Sequence, residues 1–295
     1  MEQIKNPTKG FFHWIQNIDV RYVYLFFFLT VTLFVVIVEY ISIPMPIIVS
    51  PTVKSLYDKL EDTPADKIVI IESDWGVNIR AESEGQMRAI VRHLMMRKIK
   101  FAMLSWIDNP EGQSNGYKII SDLAKEYNYE YGKEWVAWGG IKKVGGAELQ
   151  ALSKDIHGTI KADINGTPIS EIPMMKDIKS IYDIYLIFAI SYDYTGTPWL
   201  GFVQGIYGTN YAIGVSAITS STAYSFIASG QMCGMLSSAS GAAEYEELLG
   251  IKEKARFAKQ KVDILSMAAA YIVGMILLGN ISYYSGLRKE RKSLK

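Results

Sequence analysis

Two long uncharged stretches limit what this chain can become. Residues 22–38, YVYLFFFLTVTLFVVIV, carry no charge, and the apolar character runs on through EYISI to residue 43, before Pro44 and Pro46. Residues 264–287, ILSMAAAYIVGMILLGNISYYSGL, are equally free of charge between Asp263 and Arg288. About twenty helical residues, at ~1.5 Å each, cross a hydrocarbon core of ~30 Å. Each stretch is therefore expected to be a transmembrane helix, the second with Tyr283 and Tyr284 at headgroup level. The first is expected to be a retained anchor: its apolar run is long for a signal peptide, and Pro44-Met45-Pro46 is a poor cleavage site. Ahead of it, residues 1–21 form a tail in which Phe11, Phe12, Trp14 and Ile15 suit a helix lying in the membrane interface, with His13 at headgroup level.

Basic residues orient such a two-pass chain only weakly. Lys5, Lys9, Arg21, Arg288, Lys289, Arg291, Lys292 and Lys295 lie on one side, against Lys54, Lys59, Lys252, Lys254, Arg256, Lys259 and Lys261 on the other. The N-terminal flank of the first span is the more basic close to the membrane. The expectation is a cell-membrane protein with cytoplasmic termini, including the basic tail 288–295, and an extracytoplasmic central domain.

That central domain, residues 44–250, is long enough for one core. Its apolar β-branched runs at 66–73 (DKIVIIES), 100–106, 134–139, 183–191 and 211–217 read as strands buried on both faces. Between them lie helical patterns: SEGQMRAIVRHLMMRKI, with Ser83 as N-cap and His93 on the solvated face, then NGYKIISDLAKEYN, GAELQALSKDIHG and PWLGFVQGIYG. Strands alternating with helices imply a parallel sheet with right-handed crossovers. The expected fold is α/β: a doubly wound, mainly parallel five-stranded sheet, Rossmann-like or flavodoxin-like, ordered 3-2-1-4-5. Residues 251–263 are expected to be a basic connecting helix leading to the second span.

Composition removes several function classes. A net charge of +1 gives no field for nucleic acid. One cysteine and three scattered histidines (His13, His93, His157) offer no disulfide framework and no metal-ligand spacing. The segment after the first strand, SDWGVNIRAESEG, has neither of the glycine-rich phosphate loops, so no nucleotide cofactor is expected.

SEIPMMKDI, QGIYGTNYAIGVSA and SGQMCGMLSSASGAAEYEELLG, lying between two spans, resemble an uncharacterised family of bacterial and archaeal membrane proteins. The resemblance extends over most of residues 67–280. It implies a two-span protein with a central α/β domain, and no activity or catalytic residues.

In open α/β sheets ligands bind at the carboxyl ends of the strands, where the strand order reverses. Glu72, Ser73 and Asp74 fall there, with Ser191, Tyr192 and Asp193 opposite, Ser105 and Asp108 after the second strand, and Ser216 and Thr219 after the fifth. Asp74, Ser105, Tyr192, Asp193, Ser216 and Thr219 are the candidate ligand-binding residues, against the plainer reading of strand-end caps. Cys233 with His157 could form a thiol nucleophile and base, but Cys233 sits among Met232, Gly234, Met235 and Leu236 and reads better as a buried hydrophobe.

From residue 194 to residue 243 there is no Lys, Arg, Asp, Glu or His. Glycine, serine and threonine are too frequent there for a third span, and Gly230, Gly234, Ser238 and Gly241 mark faces for close backbone approach. Residues 230–244 are expected to form small-residue helical packing at a subunit contact, with Cys233 buried. The functional expectation is a non-enzymatic, membrane-anchored assembly or binding module that self-associates or joins other membrane subunits, with membrane lipid as its other partner. The alternatives are a hydrolase using Asp74 and a ligand-binding sensor or transport-accessory subunit.

Overall fold

The computed structural model describes the chain except residues 1–13, 16–17, 41–45, 139, 142–145, 192–195, 253–255 and 294–295, with backbone alone for 39, 196–197 and 286–293. Two compact units emerge: Met1–Met45 with Val262–Lys295, and Pro46–Lys261.

The second unit is a six-stranded, wholly parallel sheet. Its strands are β1 (Ile68–Asp74), β2 (Phe101–Leu104), β3 (Trp135–Ala137), β4 (Ile184–Ser191), β5 (Asn210–Val215) and β6 (Gly234–Ser237), in the spatial order 3-2-1-4-5-6. The α/β class, the parallel pairing and the order of the first five strands match the sequence reading. The sixth strand does not: the stretch expected to pack as helices supplies the edge strand β6, followed by a helix at Ser238–Leu248.

Every residue of β1 is buried, so both faces of the sheet must be covered. One face carries α2 (Pro51–Glu61), α3 (Arg80–Met96), α4 (Pro110–Tyr127) and, after β6, the helix Ser238–Leu248, which share a core with Val69, Ile71, Phe101, Met103 and Phe188. The other face is covered by α5 (Ala147–Lys154), the irregular 156–181 segment and a helical run at 196–207 containing a π-turn, Leu200–Gln204. The helix α6 (Ser220–Ala228) follows β5 and α7 is Ser238–Leu248; of the residues expected to form a separate basic helix, 257–263 are the start of α8 (Phe257–Ser293), 251, 252 and 256 are not helical, and 253–255 lie outside the described residues.

Close approach sets the glycines at β6. A Cβ on Gly234 would lie 2.6 Å from the Thr52 carbonyl and 2.7 Å from Leu56 Cβ, so this residue lets α2 rest directly on the edge strand. The ends of β5 and β6 are tied to α3 by the buried Gln86, whose amide donates to the carbonyls of Val215, Leu236 and Ser238 at 2.9, 3.2 and 3.1 Å.

Two sequence expectations for α3 fail. Ser83 is not an N-cap, because the helix starts earlier, at Arg80, after a turn at Val77–Ile79; Ser83 itself is buried. His93 is not solvated but fully buried. α3 is covered on its outer side as well, where Gly85 leaves just enough room for Ala258 and Ala242. Buried Glu246 on α7 completes that cover by accepting the backbone N–H groups of Ala258 (3.0 Å) and Lys259 (3.1 Å), the first turn of α8. Burial raises the pKa of its carboxyl above the usual range, while those two N–H groups pull it back.

His93 Nδ1 lies 2.6 Å from the Tyr245 hydroxyl and Nε2 3.1 Å from Glu61 Oε1, with Tyr57 stacked on the ring at 4.8 Å and Arg97 Nε donating to Glu61 at 2.9 Å. A neutral ring protonated on Nε2 satisfies both neighbours: it accepts from Tyr245 and donates to Glu61. Burial lowers its pKa from 6.5 to about 4, against the pull of Glu61. In that window the unfolded chain binds more protons than the fold, so this contribution is complete above the unfolded value and is lost as pH falls toward 4. The gap corresponds to roughly 3 kcal/mol. Thermal unfolding followed from pH 7 to pH 4 should therefore fall more steeply for the wild type than for His93→Gln. Equal slopes would assign the pH dependence elsewhere.

In the first unit, α1 (Val20–Tyr40) and α8 each contain a segment long and apolar enough to cross a membrane, Val20–Val38 and Phe257–Ser285, with mean hydropathies of 2.2 and 2.0. The most apolar window of neither is buried inside the protein. The rings of Phe26 and Phe27 meet Tyr271 at 6.0 and 5.6 Å. Of the expected interfacial segment, Trp14 and Ile15 are helical, Ile18 and Asp19 are not, Val20 and Arg21 belong to α1, and the rest lies outside the described residues.

Candidate functional site

The reversal point of the sheet lies between β1, with β2 beyond it, and β4. Register places Asp74 beside Ser191 and Glu72 beside both Leu104 and Ala189, so both carboxylates sit at the carboxyl end of β1, next to β4. A carboxylate taken out of water is costly unless hydrogen bonds replace the lost solvent. Both of these have such bonds.

Glu72, fully buried, accepts the indole N–H of Trp106 on Oε1 and that of Trp199 on Oε2, the latter at 2.5 Å. Trp106 lies two residues past β2, and Trp199 stands in the first turn of the helical run after β4. The two rings lie 6.4 Å apart, tilted by 46°. One carboxylate thus fastens two strand-end segments, 34 and 127 residues away, over the middle of the sheet.

Asp74, 1% exposed, accepts from Asn109 Nδ2 at 2.8 Å and faces Ser191 Oγ at 3.4 Å. Asn109 has a second role: its side-chain oxygen accepts the Gly112 N–H at 2.9 Å and caps α4, whose proline stands at the first helical position. On the same side of β1 as α4, Ser73 Oγ donates to the Gly112 carbonyl.

The remaining sequence candidates are scattered. Ser105 is fully buried, and its Oγ has no hydrogen-bond partner among the described residues. Ser216 and Thr219 pair with each other at 3.1 Å, at the turn that starts α6. Tyr192 and Asp193 lie outside the described residues. The structure therefore brings Asp74, Asn109 and Ser191 together and leaves Ser216 and Thr219 in a turn of their own.

Chemically this is a sealed acceptor site. Ser73, Asp74, Trp75, Trp106, Ser191 and Trp199 are all at most 4% exposed. A hydrolytic centre needs a nucleophile, a base within hydrogen-bond reach and room for substrate. Neither described histidine of this unit is here: His93 bonds Tyr245 and Glu61, and His157 bonds the Met175 carbonyl at 2.9 Å. Cys233 is half-buried rather than fully buried, and burial pushes its thiol up to about 11, away from the thiolate that a nucleophile requires. No cluster of three or more His, Cys, Asp or Glu that could hold a metal occurs among the described residues.

Asp74 was legible in the sequence because it closes an apolar strand run. Trp106, Trp199 and Asn109 were not, because each acquires its role from a partner on another strand. A tryptophan just past a strand end was the available signal.

No family model matches this chain, and no curated protein does, so the family suggested by its motifs has no match behind it. The N-terminal domain of Candida albicans trehalose-6-phosphate phosphatase can be superposed at 15% identity with a TM-score of 0.34, over 83% of this chain and 48% of that one. The chain spans about half the length of that structure, and so loose a superposition carries nothing about function.

Replacing Glu72 by Gln leaves one carbonyl for two indole donors and turns an N–H₂ group toward the other. A buried donor without an acceptor costs ~1–3 kcal/mol. Glu72→Gln is expected to lower stability by about that amount and to increase acrylamide quenching of tryptophan fluorescence. Unchanged stability together with unchanged quenching would mean that the two indoles do not depend on this carboxylate.

Proposed function

We propose that this chain is a membrane-anchored, non-enzymatic α/β module that self-associates through its C-terminal half. Its two apolar helices, α1 and α8, hold the domain to the cell membrane, with the termini cytoplasmic and the domain outside, following the more basic N-terminal flank of the first span. The motif resemblance to two-span membrane proteins fits this reading.

The observation that carries the proposal is the surface of α6. Ser220–Ala228 contains no charged residue and buries only Ala223, while Tyr224 is 53% exposed and Ile218, just before the helix, is 89% exposed. Phe202 and Ile206 are exposed in the same charge-free run. A soluble face would normally be covered with charge, whereas an interface core is depleted of it and enriched in aromatic residues. A second copy of the same face supplies matching chemistry, as a two-fold contact requires.

The four residues first considered for the contact have uses within the chain. Gly234 makes room for α2, and Gly241 lies close against the Leu236 backbone. Gly230, just past the end of α6, and Ser238, just past β6, take left-handed backbone angles, φ +76° and +54°. We therefore place the contact on α6 and its preceding turn. The hydrolase and ligand-sensor alternatives both use the strand-end crevice, and the burial of Asp74 weighs against them.

Size-exclusion chromatography with light scattering in mild detergent should give a discrete oligomer for the wild type. Ile218→Lys combined with Tyr224→Lys should convert it to a monomer with an unchanged circular dichroism spectrum. A monomeric wild type, or a double variant of unchanged mass, would overturn the proposal.

A further inference from the structure

The first unit contains a groove that neither the fold nor the self-association reading uses. Trp14, Tyr22, Phe26 and Leu29 on the α1 side face Leu278 and Gly279 of α8 across an apolar space of about 850 Å³. Nothing fills the floor at Gly279: a Cβ there would meet no atom within 4 Å.

Asp19 also lines this groove, at the amino end of α1. Its carboxylate accepts from Arg21 Nη2 at 2.9 Å, from Arg21 Nε at 3.2 and 3.3 Å, and from the Arg21 backbone N–H at 2.9 Å. The Arg21 side chain is nonetheless 86% exposed. The groove is thus apolar along its length and ends at a zwitterionic pair. Trp14 and Tyr22, rings with one polar edge, stand beside that pair, the combination that prefers the headgroup level of a bilayer.

We infer that this groove binds one glycerophospholipid, and the inference rests on the membrane-anchored reading given above. One acyl chain lies between α1 and α8 over Gly279. The headgroup phosphate faces Arg21 and its ammonium faces Asp19. Three observations select this occupant over a peptide or a second copy. The walls are the two membrane-length helices, so the surrounding medium is hydrocarbon. Among the described residues the lining is apolar apart from Asp19 at one end, whose ion-pair partner Arg21 stands beside it, so that end matches a zwitterionic headgroup. An apolar cavity of this kind is not filled by water.

The test uses full-length protein purified in mild detergent, delipidated, and titrated with dioleoyl-phosphatidylethanolamine under native mass spectrometry. The wild type should show a discrete adduct of one lipid per protomer. Gly279→Trp fills the groove and should weaken that adduct at least tenfold. Gly274→Trp adds the same side chain to the same helix at a glycine that also has open space around it but does not line the groove, and it should bind as the wild type does. Equal binding by all three proteins would make the lipid merely annular and overturn the inference. So would a wild type with no discrete adduct, or a Gly274→Trp variant as impaired as Gly279→Trp. Release of the wild type from membranes by alkaline carbonate would separately remove the anchored reading on which the groove depends.

Discussion

A wholly parallel sheet has no face to spare for water. In this chain β1, β4 and β5 are buried almost throughout, so the fold depends on covering both sides of six strands at once. One side is covered by regular helices, the other largely by an irregular segment between β3 and β4, and two separate apolar cores result. Where cover must come especially close, small residues permit it: Gly234 beneath α2, and Gly85 beneath the first turn of α8.

Covering the faces leaves the strand ends, where backbone and side-chain polar groups collect. The chain satisfies them with buried side chains instead of solvent. Glu72 draws in two indoles, Asp74 takes Asn109 and Ser191, and Gln86 serves three carbonyls at the ends of β5 and β6. Each group acts as a tie between elements distant in sequence. A buried polar network of this sort is costly when broken and cheap when complete. It occupies the position where open α/β sheets hold their ligands.

Most of this architecture was legible because strand cores and helix faces announce themselves locally. The run IVIIES and the run IYLIFAIS are β-branched and bounded by polar residues, and both are strands where expected. β6 was missed because GMLS is short and small-residue-rich, and it becomes a strand only by pairing with Ala212–Val215. His93 was misplaced because its helix looks amphipathic in isolation; its outer side is covered by α7 and the start of α8, more than 140 residues later. The candidate site divides the same way. Asp74 follows from its place at a strand end, whereas the pairing of Glu72 with Trp106 and Trp199 exists only in three dimensions.

Amide hydrogen exchange, measured by mass spectrometry on the intact protein, reports whether these ties seal the strand ends. Peptides covering Trp106–Asn109 and Trp199–Val203 should exchange slowly, with protection approaching that of β1 and β4. Rapid exchange in those two segments, with β1 and β4 still protected, would instead show an open crevice at the carboxyl ends of the sheet.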